Sequence, residues 1–314
     1  MPKVLVTGGA GFIGAHLVAR LVARGDEVIV FDNMKRGRRE KVDELLRDSR
    51  GRLVEDDIRR FDALAGAVRG CDVVFHLAAQ SNVMGAVTDP DYSITTNVLG
   101  TFNVLRSAAE ARVPRVVFTS SREVYGDPQT LPVAEDQPLL AKNSYGASKV
   151  AGEAYCRTFA ATHGLHVDVV RLTNVYGPGD RDRVIPLWLT AAQEGRDLVV
   201  YGGKQVIDFL WVGTAVDALL LAAARGLPGP VNIGSGVATN IVDLAERVLR
   251  VTGATSRIVR TAAREPEVAK FVANTERMRS LGLVPETDPL GHLGELVPMY
   301  PPLWTGGGRV SDPP

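Results

Sequence analysis

Along the first half of the chain the hydrophobic positions fall into short, β-branched runs separated by longer stretches of helical spacing. Residues 3–7, 27–31, 52–55, 72–76, 115–120 and 166–173 read as strands, and 11–24, 96–111 and 144–163 as helices. Strands that are apolar on both faces cannot lie against water. Their alternation with helices predicts an α/β fold, a parallel sheet covered on both sides. Beyond Asn174 the pattern changes. Pro178, Pro186, Pro228, Pro230, Pro266, Pro285 and Pro289 cut it into shorter elements, with one return strand at 231–233. This predicts a doubly wound, ligand-binding sheet domain over 1–173 with a return segment at about 205–236. A smaller α/β lobe for substrate is expected from 174–204 and 237–314. No internal repeat is visible, and the glycine-rich tail from Thr305 reads as frayed.

Charge removes some function classes. Lys plus Arg and Asp plus Glu number 36 each, so no global field draws the chain to nucleic acid or to an anionic membrane. An anionic ligand must be held by local geometry. Cys71 and Cys156 stand in unrelated contexts, which argues against a disulfide framework and against a metal site. The apolar stretch 215–224 contains Asp217 and is too short to span a bilayer. With a strand starting at Lys3, no signal peptide is expected, and the reading is a cytoplasmic protein.

The first loop carries the first candidate chemistry. Val4-Leu-Val-Thr-Gly8-Gly9-Ala10-Gly11-Phe12-Ile13-Gly14 follows a strand and opens a helix. Its glycines satisfy both the Gly9, Gly11, Gly14 spacing and the wider Gly8, Gly11, Gly14 spacing. Such a turn lets backbone approach a pyrophosphate, and the helix start offers free N–H groups and partial positive charge. Asp32 ends the second strand and is followed by Asn33. A carboxylate there accepts from a ribose 2′-hydroxyl and repels a 2′-phosphate, favouring NAD over NADP. The competing reading takes Arg36, Arg38 and Arg39 as a 2′-phosphate clamp.

The second is a pair one helical turn apart, Tyr145 and Lys149, in Tyr145-Gly-Ala-Ser-Lys149. A lysine ammonium stabilises a phenolate, and a phenolate removes a hydroxyl proton from a carbon that is losing hydride. Alone, the spacing describes any solvated helix face; after a nicotinamide site it becomes an acid–base pair. Ser121 ends the strand at the sheet edge where ligands sit, placed to bond the reacting oxygen.

Together these residues resemble the extended short-chain dehydrogenase/reductases, and within them the NAD-dependent nucleotide-sugar epimerase/dehydratase family, UDP-glucose 4-epimerase-like. The resemblance rests on the glycine loop, Asp32-Asn33, Asp57-Ile58, His76-Leu77-Ala78-Ala79, Asn97, Ser121 with Val124-Tyr125-Gly126, Tyr145/Lys149 and Asn174-Val-Tyr-Gly-Pro178, and runs from residue 2 to about 285. It implies a Rossmann-type domain and a homodimer paired through helices 96–111 and 144–163. It also implies that Asp57 and Ile58 flank the adenine. Leu77, Ala78, Ala79 and Asn97 would line the cofactor path, and Lys149 would hold the nicotinamide ribose. A nucleotide-sugar partner, UDP-sugar favoured, would meet Asn174 and Arg264 at its diphosphate and Glu267 at its ribose. Val184, Ile185, Val199 and Tyr201 would enclose its base. Without the resemblance, Arg264 and Glu267 would be a surface pair.

Two departures stand out. The family's diphosphate arginine is Ile207 here, leaving Lys204, Arg181 or Arg183 to substitute, and an expected Asp is Thr214. Glu123 matches the base that dehydratases and decarboxylases use at C5. Arg122 occupies the place of the dehydratase acid, and a guanidinium is a poor proton donor. Arg122 then either meets a uronate carboxylate or points outward in an ion pair. The expected activity is 4-epimerisation through a transient 4-keto sugar. The alternatives are dehydration or uronate decarboxylation with Glu123 as base and, more remotely, an inactive NAD-binding sensor.

Overall fold

The computed structural model describes residues 1–301, so the expected fraying from Thr305 lies outside the described residues. Six strands of the first half, β1 (Lys3–Thr7), β2 (Glu27–Asp32), β3 (Arg52–Glu55), β4 (Val73–His76), β5 (Arg115–Ser121) and β6 (His166–Leu172), join Val231–Ile233 in one seven-stranded sheet. Its order runs Val231–Ile233, β6, β5, β4, β1, β2, β3, and every pairing is parallel. From β1 the chain winds outward to β2 and β3, then returns to β4 on the other side. The carboxyl ends of β1 and β4 therefore diverge into a crevice, where open parallel sheets bind ligands.

Both faces are covered, as the apolar runs require. On one face Val4, Val6, Val28 and Val30 pack against Leu17, Val18 and Leu21 of the first helix, α1 (Phe12–Ala23), and against Ala215, Leu219 and Ala222 of Val212–Arg225. On the other, Leu5, Ile29, Phe31 and Phe118 meet Val104, Leu105 and Ala108 of Gly100–Glu110, with Cys156 and Phe159 of Ser144–His163. Each such side chain taken from water contributes about 1.5–3 kcal/mol. A third cluster, with Trp188, Leu189, Leu198, Val200, Leu244 and Val248, forms the core of the C-terminal elements.

Two local readings change. The expected helix 96–111 is a π-turn, Thr95–Leu99, running into Gly100–Glu110. The wider turn carries Asn97, whose buried amide is held from outside the helix. The proline-rich second half is also more regular than its spacing suggests, because Val212–Arg225 and Ile241–Thr252 are helices of 14 and 12 residues. Among the described residues no helix is long and apolar enough to cross a membrane.

Candidate active site

The glycine loop between β1 and α1 closes on the fourth loop. Gly8 sits at φ +72°, a backbone state that side chains rarely adopt, and a Cβ there would lie 2.6 Å from the amide nitrogen of Ala78. A Cβ on Gly14 would meet the carbonyl oxygen of Gly8 at 2.1 Å. The wider Gly8, Gly11, Gly14 set thus carries the turn, with Gly9 packed on Val30. The first turn of α1 holds no acidic residue, and the amides of Phe12, Ile13 and Gly14 have no protein partner among the described residues. Free amides at a positive helix end fit a pyrophosphate.

Asp32 organises this loop. Its Oδ2 accepts from the amide of Ala10 at 3.0 Å and its Oδ1 from that of Met34 at 2.9 Å, while burial raises its pKa. Of the competing arginines, Arg36 pairs with Asp182 and Arg39 with Glu55. Asn33 donates to Asp57 at 2.9 Å. The Arg59 guanidinium grips the same carboxylate, which settles at about 2 against the pull of burial. Ile58 is buried beside them.

The fourth loop is tied to the helix Ser144–His163. Asn97 accepts from the amide of Gln80 at 2.7 Å and donates to the carbonyl of Gln80 at 3.0 Å and to Ser148 Oγ at 2.9 Å. Ser148 in turn donates to the carbonyl of Tyr145 at 2.7 Å. One amide therefore fixes Leu77–Ala79 relative to the helix. Under the loop, His76 bridges Thr7 at 2.8 Å and Thr101 at 2.9 Å, and burial drops its pKa to about 3, so it stays neutral.

On Ser144–His163, Tyr145 and Lys149 share a face as the spacing predicts, with Lys149 Nζ 5.9 Å from the Tyr145 ring centre. Lys149 is 4 % exposed and donates to the carbonyl of Thr119 at 2.8 Å. Burial lowers its pKa to about 8. Burial pushes Tyr145 up to about 12, against a hydrogen bond with Ser121 and the charge of Arg183. Ser121 and Tyr145 thus meet, and both face the edge where β5 ends. Deeper in, Glu153 takes a two-point bond from Arg171 at 2.9 and 2.7 Å and one from Ser120 at 2.6 Å, bracing helix against sheet.

Glu123 and Arg122 turn inward together, which removes the outward ion pair. Arg122 lies 2.9 Å from Glu123, with side chains only 13 % and 6 % exposed. The second oxygen of Glu123 accepts from Asn143 Nδ2 at 2.8 Å. Asn143 also caps the helix, its Oδ1 accepting from Gly146 at 2.8 Å, and donates to the carbonyl of Pro266. The sequence reading missed Asn143, although an Asn just before a helix beginning with Ser-Tyr is a capping signal.

The remaining candidates lie on the C-terminal side. Tyr201 and Val199 end the exposed face of Leu198–Tyr201, and Arg264 stacks 3.7 Å above the Tyr201 ring while reaching Glu267 at 3.5 Å. Lys142 donates to the carbonyl of Glu267 at 3.1 Å, docking this segment beside Asn143. Val184 is half-buried at the start of its helix, but the Ile185 side chain is in the core, 1 % exposed. Asn174 keeps a buried side-chain nitrogen without a partner, as does Thr119 its hydroxyl. Ile207 lies in a two-residue strand against Thr239–Asn240, and its neighbour Asp208 is consumed by Ser235, Gly236 and Ala273. Of the three possible substitutes, Arg183 alone approaches the cofactor loop. It pairs with Asp180 at 2.8 Å and lies 5.6 Å from the ring of Phe12.

Comparison with known proteins agrees with this geometry. Residues 4–234 match the NAD dependent epimerase/dehydratase family. The chain is 36% identical over 261 residues to a UDP-glucose 4-epimerase of Mycolicibacterium smegmatis, covering 80% of this chain and 83% of that one. A dTDP-glucose 4,6-dehydratase of Actinoplanes sp. is 33% identical, covering 95% and 97%. The crystal structure of a Thermotoga maritima UDP-glucose 4-epimerase with UDP-glucose superposes with a TM-score of 0.90 at 29% identity, covering 95% and 98%. With free amides on α1, Asp32 at the loop and Lys149 beside Tyr145, the cofactor is NAD, and the chain belongs to the NAD-dependent epimerase/dehydratase family.

Proposed function

We propose that this enzyme is a nucleotide-sugar 4-epimerase acting on a UDP-hexose or UDP-hexuronate. NAD, held at the glycine loop, would supply the hydride exchange at C4 that side chains lack. Tyr145 removes the 4-hydroxyl proton and later gives it back. The Lys149 ammonium favours its phenolate, and Ser121 holds the same oxygen. Asn97 and Asn143 keep loop and helix in register. The 4-keto sugar turns over between the two transfers, so that C4 regains hydride on its opposite face while Tyr145 returns the proton to the 4-oxygen.

The observation that carries this over C5 chemistry is the state of Glu123. Both carboxylate oxygens are engaged, one by Arg122 and one by Asn143. To take a proton from a sugar carbon the carboxylate would have to give up one of these contacts, and a guanidinium beside it is a poor proton donor. Dehydration and decarboxylation thus lack a free acid–base pair. The test is NMR of the products from UDP-glucose, UDP-glucuronate and dTDP-glucose, for the parent and Glu123→Gln. Inversion at C4, with the variant slowed by no more than about tenfold, supports the reading; water or carbon dioxide release that collapses in Glu123→Gln overturns it.

The same reading assigns 1–173 with 205–236 to cofactor, and 174–204 with 237–314 to substrate. It places the enzyme in the cytosol, where free buried Cys71 and Cys156 stay reduced. It also pairs two copies through Ile94, Leu99 and Tyr155, which are 57%, 47% and 37% exposed. A monomeric mass by light scattering would remove that last element.

A further inference from the structure

Two arginines near the end of β5 are both nearly enclosed, yet they are treated very differently. Arg171, with 3 % of its side chain exposed, meets four acceptors: both oxygens of Glu153, the Tyr125 hydroxyl and the carbonyl of Glu135. It is a finished structural ion pair. Arg122, 13 % exposed, meets one, Glu123, and its flank lies 5.8 Å from the Phe271 ring. A guanidinium carries five N–H donors in a planar fork, and no Arg122 nitrogen is among the buried, unpartnered atoms of the described residues, so the donors not given to Glu123 open on solvent. Arg122 directly follows Ser121, which bonds the Tyr145 phenol, and its charge acts on that phenol, so the guanidinium lies beside the proposed acid–base group.

We infer that the open edge of Arg122 receives a carboxylate carried at C6 of the sugar, so that the enzyme selects nucleotide-activated uronates over neutral hexoses. The fork matches a carboxylate at two points, which a neutral hydroxymethyl group cannot reproduce. Glu123 orients the guanidinium and neutralises it between turnovers. The second carboxylate is tolerated because Lys149 and Arg183 add positive charge around Tyr145. This assignment rests on the epimerase reading, which it narrows.

The test compares kcat/KM for UDP-glucuronate and UDP-glucose in the parent, Arg122→Met and Arg122→Lys, with inhibition by UDP alone as a third arm. The expected parent prefers the uronate. Arg122→Met lowers the uronate-to-hexose ratio by about 100-fold, and Arg122→Lys, keeping charge without the fork, recovers part of it. Retained NAD and an unchanged melting temperature establish that the variants are folded. Equal losses on both sugars, a parent preference for the hexose, or a matching loss of UDP affinity would each overturn the assignment, the last by moving the cation to a phosphate. Failure of the epimerase reading looks different: the parent then inverts neither sugar.

Discussion

The two walls of the cleft differ in how completely their polar groups are satisfied before a ligand arrives. On the wall formed by β5 and Ser144–His163, Asn97, Ser148, Lys149, Asn143 and Glu153 are buried and hydrogen-bonded through backbone and side chain. Among the C-terminal candidates, Asn174 holds a nitrogen without a partner among the described residues, and Arg264 and Glu267 meet at 3.5 Å with 39 % and 35 % of their side chains exposed. The first set is preorganised; on the proposed reading the second would gain its partners from the substrate. Reaction steps depend on groups fixed within fractions of an ångström, whereas binding tolerates groups that settle on contact. Substitutions on the two walls should therefore fail in different ways.

The largest effect belongs to the preorganised wall. Tyr145→Phe removes the acid–base group without disturbing the helix, and kcat should fall by about 10²–10⁴ with KM little changed. Retention of full turnover would break the comparison at its strongest point. The pH profile sharpens it. Burial holds Tyr145 near 12 and Lys149 near 8 in the free protein, so at neutral pH the phenol is protonated and the lysine charged. The working form needs the phenol deprotonated and the ammonium intact. Because the lysine titrates below the phenol, that form is a minority whose share rises up to about pH 8, holds, and falls as pH nears 12, and activity should follow it. The two limbs belong to the coupled pair and not to either residue.

The same contrast explains what was legible in the sequence. The sheet, the glycine loop and the Tyr145/Lys149 pair are written in local patterns: β-branched runs, a glycine at positive φ and a one-turn spacing. Their chemistry depends on neighbours a few residues away. Strand ends shifted by a residue at Asp32, Ser121 and Leu172, because pairing continues until a loop must leave the sheet. The inward fold of Arg122 onto Glu123 was not legible. Adjacent residues on an exposed strand would point apart, and only the tight turn at Arg122–Tyr125 and the cap from Asn143, twenty residues on, bring the charges together. Likewise, the burial of Ile185 follows from the packing of Val184–Gln193 on the Trp188–Leu198 cluster, which the sequence assembles from distant segments.

A middle-sized effect belongs to Asn174. Its side-chain nitrogen is enclosed without a protein acceptor, so a substrate oxygen would gain a hydrogen bond there and relieve a buried orphan. Asn174→Ala removes both the orphan and the bond. Binding should weaken by about 1–1.5 kcal/mol, raising KM roughly tenfold while kcat holds. A fall in kcat with constant KM would place Asn174 on the wrong wall and blur the distinction drawn above.

The smallest expected effect is the most instructive, because it separates stacking from charge. Arg264 lies flat on Tyr201 at 3.7 Å, and its pair with Glu267 is long and half in water, a contact worth about 0–1 kcal/mol. If the guanidinium serves chiefly to keep the Tyr201 ring in place for a base, Arg264→Ala and Arg264→Lys should both raise KM by only about threefold. If it grips a phosphate, the Lys variant should stay near the parent, and the Ala variant should lose most affinity at low salt, its gap to the parent closing as salt is raised, since an exposed ionic contact is screened. Measuring KM at low and high ionic strength for both variants decides which. A salt-independent loss shared by both variants would mean that the ring stack, not the charge, is what Arg264 contributes before the substrate arrives.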